Sequence, residues 1–212
     1  MVNKSVENNM EFRLFYSSGT IALATLIALF ECEAEFDIVK VDFKSAQQTQ
    51  PEYLTVNPKG RVPALQTAEG MLTETLAILV YLAQAHSHKN LLPANTYEFA
   101  QLQSFNSYLA STVHVNHAHK RRGSRWAELE SSFDDMRAKV PETMLASFEL
   151  IQQEYLQGPW VMGQQYTVAD AYLFTITGWL EGDGVPLEKL PKISDHYSRM
   201  QQRAAVQRAL QV

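Results

Sequence analysis

Two short stretches carry residues whose types and spacing can do chemistry. The first is Asn57-Pro-Lys-Gly-Arg-Val-Pro-Ala-Leu65, and the second is Glu74-Thr75, which opens an apolar run. X–Pro is the one peptide bond for which cis is cheap, and a tight turn is where it is kept, so Val62–Pro63 is expected to be cis at the entry to a short strand. Pro63 has no N–H, which leaves the free donor and acceptor of this edge to Val62. A backbone edge of that kind can pair with a small extended peptide. Thr75 is expected at a helix N-terminus, where unsatisfied N–H groups and the helix dipole favour a carboxylate. Edge and socket together point to a short acidic peptide as ligand.

Other groups of chemical interest are weaker signals. His114 and His117, three apart, share a helix face, with His119 close by. No cysteine or interleaved acid accompanies them, so a zinc site is not expected. Lys120-Arg121-Arg122-Gly-Ser-Arg125 is the only basic run. It reads as a solvated helix end rather than a nucleic-acid patch. The chain of 212 residues has a formal net charge of −5, which argues against nucleic acid as its main partner. Its single cysteine, Cys32, excludes an internal disulfide or a CxxC centre and fits a reducing, cytoplasmic compartment. Cys32 is expected to be a small buried hydrophobe. The longest apolar run, Ile21 to Phe30, is too short to span a bilayer, so no membrane partner is expected.

The elements that must position these residues follow from periodicity. Residues 1–10, MVNKSVENNM, lack the apolar core of a signal peptide and read as a disordered extension with Met10 as a second possible start. Phe12 to Tyr16 is an expected strand, Ser17-Ser18-Gly19 a turn, and Ile21 to Phe30 a buried helix. Phe36 to Phe43 returns to strand, and Gln47 to Val56 is a short helix or loop. Val62 to Thr67 and Met71-Leu72 form a hairpin around Glu69-Gly70, and Leu76 to Ala85 a helix. The order β-α-β-α-β-β-α implies an α/β layer structure over 11–86. Residues 86–96 read as a linker. Beyond it, 97–212 is expected to be all helical. Leu102, Phe105, Leu109 and Val113 mark one helix, and Met144, Phe148, Ile151 and Tyr155 another that starts after Pro141. Gly158-Pro159 stops the latter. Thr167-Val-Ala-Asp170 has the spacing of a capping box, and a final helix runs from Ile193 to Leu210.

Three pieces carry a resemblance to a known family: Asn57 to Leu65, Leu72-Thr-Glu-Thr-Leu-Ala-Ile78, and Tyr166-Thr-Val-Ala-Asp-Ala-Tyr-Leu-Phe174. In this order and spacing the chain resembles the glutathione transferases from about residue 11 to 210. The resemblance implies a thioredoxin-like N-terminal domain followed by a C-terminal helical-bundle domain. It also implies glutathione as cosubstrate, held by Val62, Pro63, Glu74 and Thr75, with Glu74 taking the γ-glutamyl end. Glu74 otherwise reads as a first-turn acid complementing the helix dipole. Lys44 is a further candidate for the glycyl carboxylate, although the family's lysine falls nearer Ala46.

Tyr16-Ser-Ser-Gly-Thr-Ile-Ala-Leu23 and His114 are most similar to the bacterial beta-type enzymes. Those typically carry a cysteine two residues after the glycine, where this chain has Ile21. Another group must then favour the thiolate. A free thiol has a pKa of about 8.5, and each unit of lowering needs about 1.4 kcal/mol. One hydroxyl hydrogen bond to the sulfur could supply that, at roughly 1.5 to 3 kcal/mol. Thr20, Ser18 and Tyr16 compete for the role. Thr20 otherwise reads as an N-cap and Tyr16 as a packed strand-end aromatic. The resemblance places His114 opposite the glutathione sulfur, in a supporting polar role; otherwise it is a satisfied interdomain histidine.

The function expected is conjugation of glutathione thiolate to a small-molecule electrophile, as in detoxification, by a homodimer with no metal. The alternatives are a glutathione-dependent peroxidase or disulfide reductase, and a non-catalytic binding or assembly module. Maleylacetoacetate isomerase fits less well, because its Ser-Ser-Cys-Ser-like run is absent.

Overall fold

The computed structural model describes residues 11–212, so the expected extension at 1–10, Met10 included, lies outside the described residues. Strand β1 (Phe12–Tyr16) buries Phe12, Leu14 and Tyr16 on one face and leaves Arg13 exposed, the period-2 pattern of a half-buried strand. β2 (Phe36–Lys40) pairs with it in parallel, Tyr16 opposite Lys40. β3 (Ala64–Thr67) pairs antiparallel on its other side, Phe15 opposite Ala64. β4 (Gly70–Thr73) completes a sheet of order β2-β1-β3-β4, with Thr73 opposite Ala64. This register matters for function. It brings the end of β1, the start of β3 and the end of β4 to the same end of the sheet.

β2 is shorter than the expected Phe36 to Phe43. Val41 N–H still donates to Tyr16 O at 2.8 Å, but Asp42 then turns the chain. Its N–H donates to Gln47 Oε1 at 2.8 Å, and its carboxylate accepts Lys44 N–H at 2.9 Å. These local side-chain bonds replace the ladder.

Helix α1 (Ala22–Glu31) has Leu26, Ile27 and Leu29 fully buried. It packs against α3 (Thr75–Ala85) of its own domain, which also holds the short α2 (Pro51–Val56), and against α7 (Val168–Thr177) and α9 (Ala204–Leu210) of the helical domain. The two domains therefore share one apolar core. Each such aliphatic side chain contributes roughly 1.5–3 kcal/mol by burial. Cys32 joins this core, 2% exposed, as expected of a small hydrophobe. The linker is tied at both sides. Leu91 O accepts Val168 N–H at 3.1 Å, and Gln165 Nε2 donates to Asn90 O and Leu92 O.

In the helical domain α4 (Thr96–Tyr108) is capped by Asn95, whose side chain accepts Tyr97 and Glu98 N–H. A π-helical turn at Leu109–Val113 leads directly into α5 (His114–Ala118). The wider turn re-aims the side chains that follow it, His114 first.

Two expectations are corrected here. Helix α6 spans Glu130–Leu150 with Pro141 inside it, rather than starting after the proline. The apolar contacts upstream decide this: Phe133 and Met136 pack on Gly123, where an added Cβ would stand 2.7 Å from Phe133 Cδ1, and Val140 is buried. Pro141 forfeits one hydrogen bond, to the carbonyl of exposed Arg137, where water can replace it. The final helix is also two helices, α8 (Pro191–Gln201) and α9. The chain is extended at Arg203, with φ −73° and ψ 133°. Arg203 makes a two-pronged ion pair with Glu31 at 2.7 and 2.9 Å and lies 3.6 Å over the Tyr166 ring. That anchoring turns α9 back onto α1.

The capping box forms around a fully buried Asp170. Its carboxylate accepts Thr167 N–H and Val161 N–H, each at 2.8 Å, and His196 Nε2 bonds to it at 3.0 Å. This one side chain starts α7, anchors the 160-loop and ties in α8.

Candidate functional site

The shared end of the sheet faces a cleft between the two domains. The Val62–Pro63 peptide bond is cis. The turn before it is built by Asn57, 1% exposed, whose Nδ2 donates to Arg61 O at 2.7 Å while its Oδ1 accepts Lys59 N–H at 3.1 Å. Tyr53 donates its hydroxyl to the same Arg61 carbonyl at 2.7 Å. Gly60 is required here: its φ is +60°, and a Cβ would stand 3.0 Å from Gln48 O. With Arg61 O doubly occupied, the next peptide groups are the free ones. Among the described residues, Val62 N–H and C=O have no hydrogen-bond partner.

Glu74 and Thr75 follow Thr73, directly across the ladder from Ala64, and so lie beside this edge. Thr75 is the first residue of α3 and is buried. Glu74 is held at φ +73°, a region a non-glycine residue adopts only at a cost of about 1–3 kcal/mol. Its carboxylate pairs with Lys59 Nζ at 2.5 Å, and the same ammonium donates to Thr73 Oγ1 at 2.9 Å.

A cavity of about 420 Å3 opens next to Val62. Gly19, Thr20, Ile21, Phe43 and Arg61 wall it on the sheet side, and His114, His117, Lys120, Arg122, Arg125, Trp179 and Asp183 on the helical side. Thr20 Oγ1 donates to Ser17 O at 2.6 Å and accepts Ala22 N–H at 3.3 Å, closing the first turn of α1. Its hydroxyl proton is thus committed to the backbone. Ile21 N–H has no partner among the described residues. Tyr16 and Ser18 open onto an adjoining cavity of about 280 Å3, which shares Thr20 and Trp179 with the first and is bounded by Leu23, Phe174, Tyr197 and Leu210. Burial pushes the Tyr16 phenol up, partly offset by a hydrogen bond with Ser18.

His114 lies 5.1 Å from the Trp179 ring, and among the described residues its ring nitrogens have no hydrogen-bond partner. Burial, followed by the charges of His117, Arg122, Arg61 and Arg125, pushes its pKa down to about 4. It is a neutral imidazole at neutral pH, able to donate one N–H. His117 stacks on Trp179 at 4.2 Å and pairs through Nδ1 with Asp183 at 2.7 Å. His119 leaves this face and packs edge-on against Trp126. Among the described residues no group of three His, Cys, Asp or Glu side chains could hold a metal.

The structure thus gathers Val62, Pro63, Glu74 and Thr75 at one sheet end, with Thr20 and His114 facing each other across the adjoining cavity. It does not bring Lys44 there. Lys44 is exposed, and its neighbour Phe43 reaches the cavity instead. The basic run differs more. Lys120 and Arg122 are half-buried and turn into the cleft rather than forming a solvated helix end. Arg61 lies inside the motif with no signal of its own, and Trp179 and Asp183 lie in a turn after α7 with no local signature. Cys32 takes no part: burial, then the Glu31 and Glu11 charges, pushes its thiol up to about 12.

Two family models match the chain: the N-terminal domain of glutathione S-transferase over residues 10–84 and the C-terminal domain over residues 124–204. The chain belongs to the glutathione S-transferase family. A glutathione S-transferase GstA of Escherichia coli O157:H7 is 34% identical over 93% of this chain and 96% of its own length. The crystal structure of a glutathione transferase homolog from Sulfitobacter, with bound glutathione, superposes with a TM-score of 0.93 at 45% identity, covering 95% of this chain and 98% of that one. A beta class glutathione S-transferase of Sphingomonas chungbukensis gives a TM-score of 0.82 at 32% identity, over 94% of this chain and 97% of that one. Within this transferase family the chain lies near the bacterial beta-type, with an isoleucine, 6% exposed, where the resemblance leads one to expect a cysteine.

Proposed function

We propose that this chain binds glutathione along the Val62–Pro63 edge and conjugates it to a small electrophile held in the interdomain cleft. The observation that carries this is the free Val62 peptide edge, flanked by the α3 N-terminus and opening onto the cavity shared by Thr20 and His114. The cysteinyl backbone of glutathione pairs with Val62 N–H and C=O. Its γ-glutamyl carboxylate meets the first-turn N–H groups at Thr75, and its ammonium meets Glu74. The sulfur then points at the start of α1. There the Ile21 N–H and the helix dipole favour a thiolate. Thr20 becomes the activating hydroxyl by rotating its O–H from Ser17 O to the sulfur, and His114 donates its N–H from the opposite wall. Tyr16 and Ser18 line the cavity behind and support the turn.

In the reaction the thiol proton leaves to solvent and the thiolate electron pair forms a C–S bond to the electrophilic carbon. A leaving group such as halide departs with the electron pair of its own bond. Ile21 offers no thiol, so no mixed disulfide with the protein forms at that position. The role is detoxification in the cytoplasm by a homodimer, which sedimentation equilibrium would check. Among the described residues no helix is long and apolar enough to cross a membrane.

Calorimetric titration with glutathione and conjugation of an aryl halide test the proposal. Wild type binds at sub-millimolar to millimolar glutathione and accelerates conjugation, and Val62→Pro loses both. No heat at millimolar glutathione would sink it.

A further inference from the structure

The cleft holds more positive charge than a tripeptide requires. Arg61, Lys120, Arg121, Arg122 and Arg125 line one cavity in a chain whose net charge is −5. The one carboxylate in its wall, Asp183, is already engaged by His117 at 2.7 Å and Lys120 at 3.3 Å. Among the described residues none of the four arginines makes an ion pair. Arg122 and Arg125 are both held below the usual guanidinium range: Arg122 by burial and then the Arg61 charge, Arg125 by burial and then the Arg122 and Arg61 charges. Lys120 and Arg122 are half-buried and the other arginines stand at the rim; like charges gathered in one cleft repel and desolvate at a cost, and such an arrangement is kept where an anion completes it. Beside them the cavity wall is apolar and aromatic, formed by Ile21, Phe43 and Trp179.

Building on the transferase reading, we infer that the second substrate is an anionic electrophile, a small aromatic or unsaturated compound bearing a carboxylate. Its anionic group docks between Arg122 and Arg125, its apolar body lies against Phe43 and Trp179, and its reactive carbon faces Thr20 and His114. Arg61 adjoins Val62, so glutathione's own glycyl carboxylate could take one of these cations. That leaves the guanidiniums of the helical domain for the electrophile.

The experiment compares 4-chloro-3-nitrobenzoate with its neutral amide, each rate divided by its uncatalysed reaction with glutathione. We expect kcat/KM to favour the carboxylate at least about tenfold, with its KM rising as salt screens the guanidiniums. Arg122→Gln should collapse that ratio toward one. Arg125→Gln, at the exposed rim, gives a second test if the first variant folds poorly by circular dichroism. Equal use of acid and amide, or variants that leave the ratio intact, would overturn the inference. Repeating the series with the glycine ethyl ester of glutathione separates the two sources of carboxylate. If the variant effect vanishes with the ester, the cations serve glutathione and the inference falls. Binding of 3-nitrobenzoate in the absence of glutathione, read by tryptophan quenching, completes the test. Saturable binding that weakens in Arg122→Gln supports the anion site even if glutathione fails to bind, in which case only the transferase reading is lost.

Discussion

Replacing His114 with phenylalanine should flatten part of the acid dependence of stability. His114 is largely buried between α5 and Trp179, facing Arg61, Arg122, Arg125 and His117. Desolvation and those positive neighbours all oppose its protonation, and its pKa falls from 6.5 to about 4. The displacement corresponds to about 3 kcal/mol. The sign is set by proton count. Between pH 6.5 and 4 the unfolded chain binds a proton at this residue that the folded chain refuses. Stability is therefore full above pH 6.5 and falls as pH drops through the window, by up to about 1.4 kcal/mol per pH unit. Phenylalanine keeps the aromatic contact and removes the proton site. Urea unfolding at half-unit steps from pH 4.5 to 7.5, on wild type and His114→Phe, gives a difference curve in which titrations common to both chains largely cancel. It should slope by about 2 kcal/mol or more over the range. Added salt should shrink the guanidinium share and leave the burial share. A flat difference curve, or a His114 imidazole resonance titrating near 6.5, would refute the reasoning.

Three further outcomes follow from the geometry. Asp170→Ala leaves the Val161 and Thr167 N–H groups and His196 Nε2 without their buried acceptor. Unsatisfied buried groups cost about 1–3 kcal/mol each, so unfolding should lose about 4 kcal/mol, and a loss below 1 would contradict the hub assignment. Thr20→Val should raise the pKa of the bound glutathione thiol by about one unit, read by thiolate absorbance, while Thr20→Ser should not. Identical titrations in all three proteins would remove Thr20 from the chemistry. Cys32, with its thiol pushed up to about 12 and its sulfur 3.6 Å from Leu82 O, should react with an aromatic disulfide reagent only at the rate of unfolding. Rapid labelling of the native protein would show the core to be open there.

Much of the N-terminal half was legible because its signals are local. Phe12–Tyr16 alternates, the run after Ile21 is apolar all round, and Asn57 to Leu65 contains the turn chemistry that presents Val62. The capping box at Thr167 and Asp170 was readable for the same reason: both partners lie within one helical turn. Pro141 misled because a proline marks a helix start only where nothing upstream packs; here Phe133 and Gly123 do. The break at Arg203 has no local cause either. It arises from Glu31, far away in sequence, and from the face of Tyr166.

The same division runs through the site. The sequence by itself determined the free Val62 edge, the start of α3 at Thr75 and the absence of a thiol at residue 21, since each depends on residue type within a few positions. The tertiary structure alone decided what fills the other wall. Lys120, Arg122 and Arg125 look like an ordinary solvated run until the π-turn before His114 and the packing of the domains on α1 turn them toward Arg61. Charge is written in the sequence, but the desolvation that gives charge its chemical force depends on which surfaces the fold brings together.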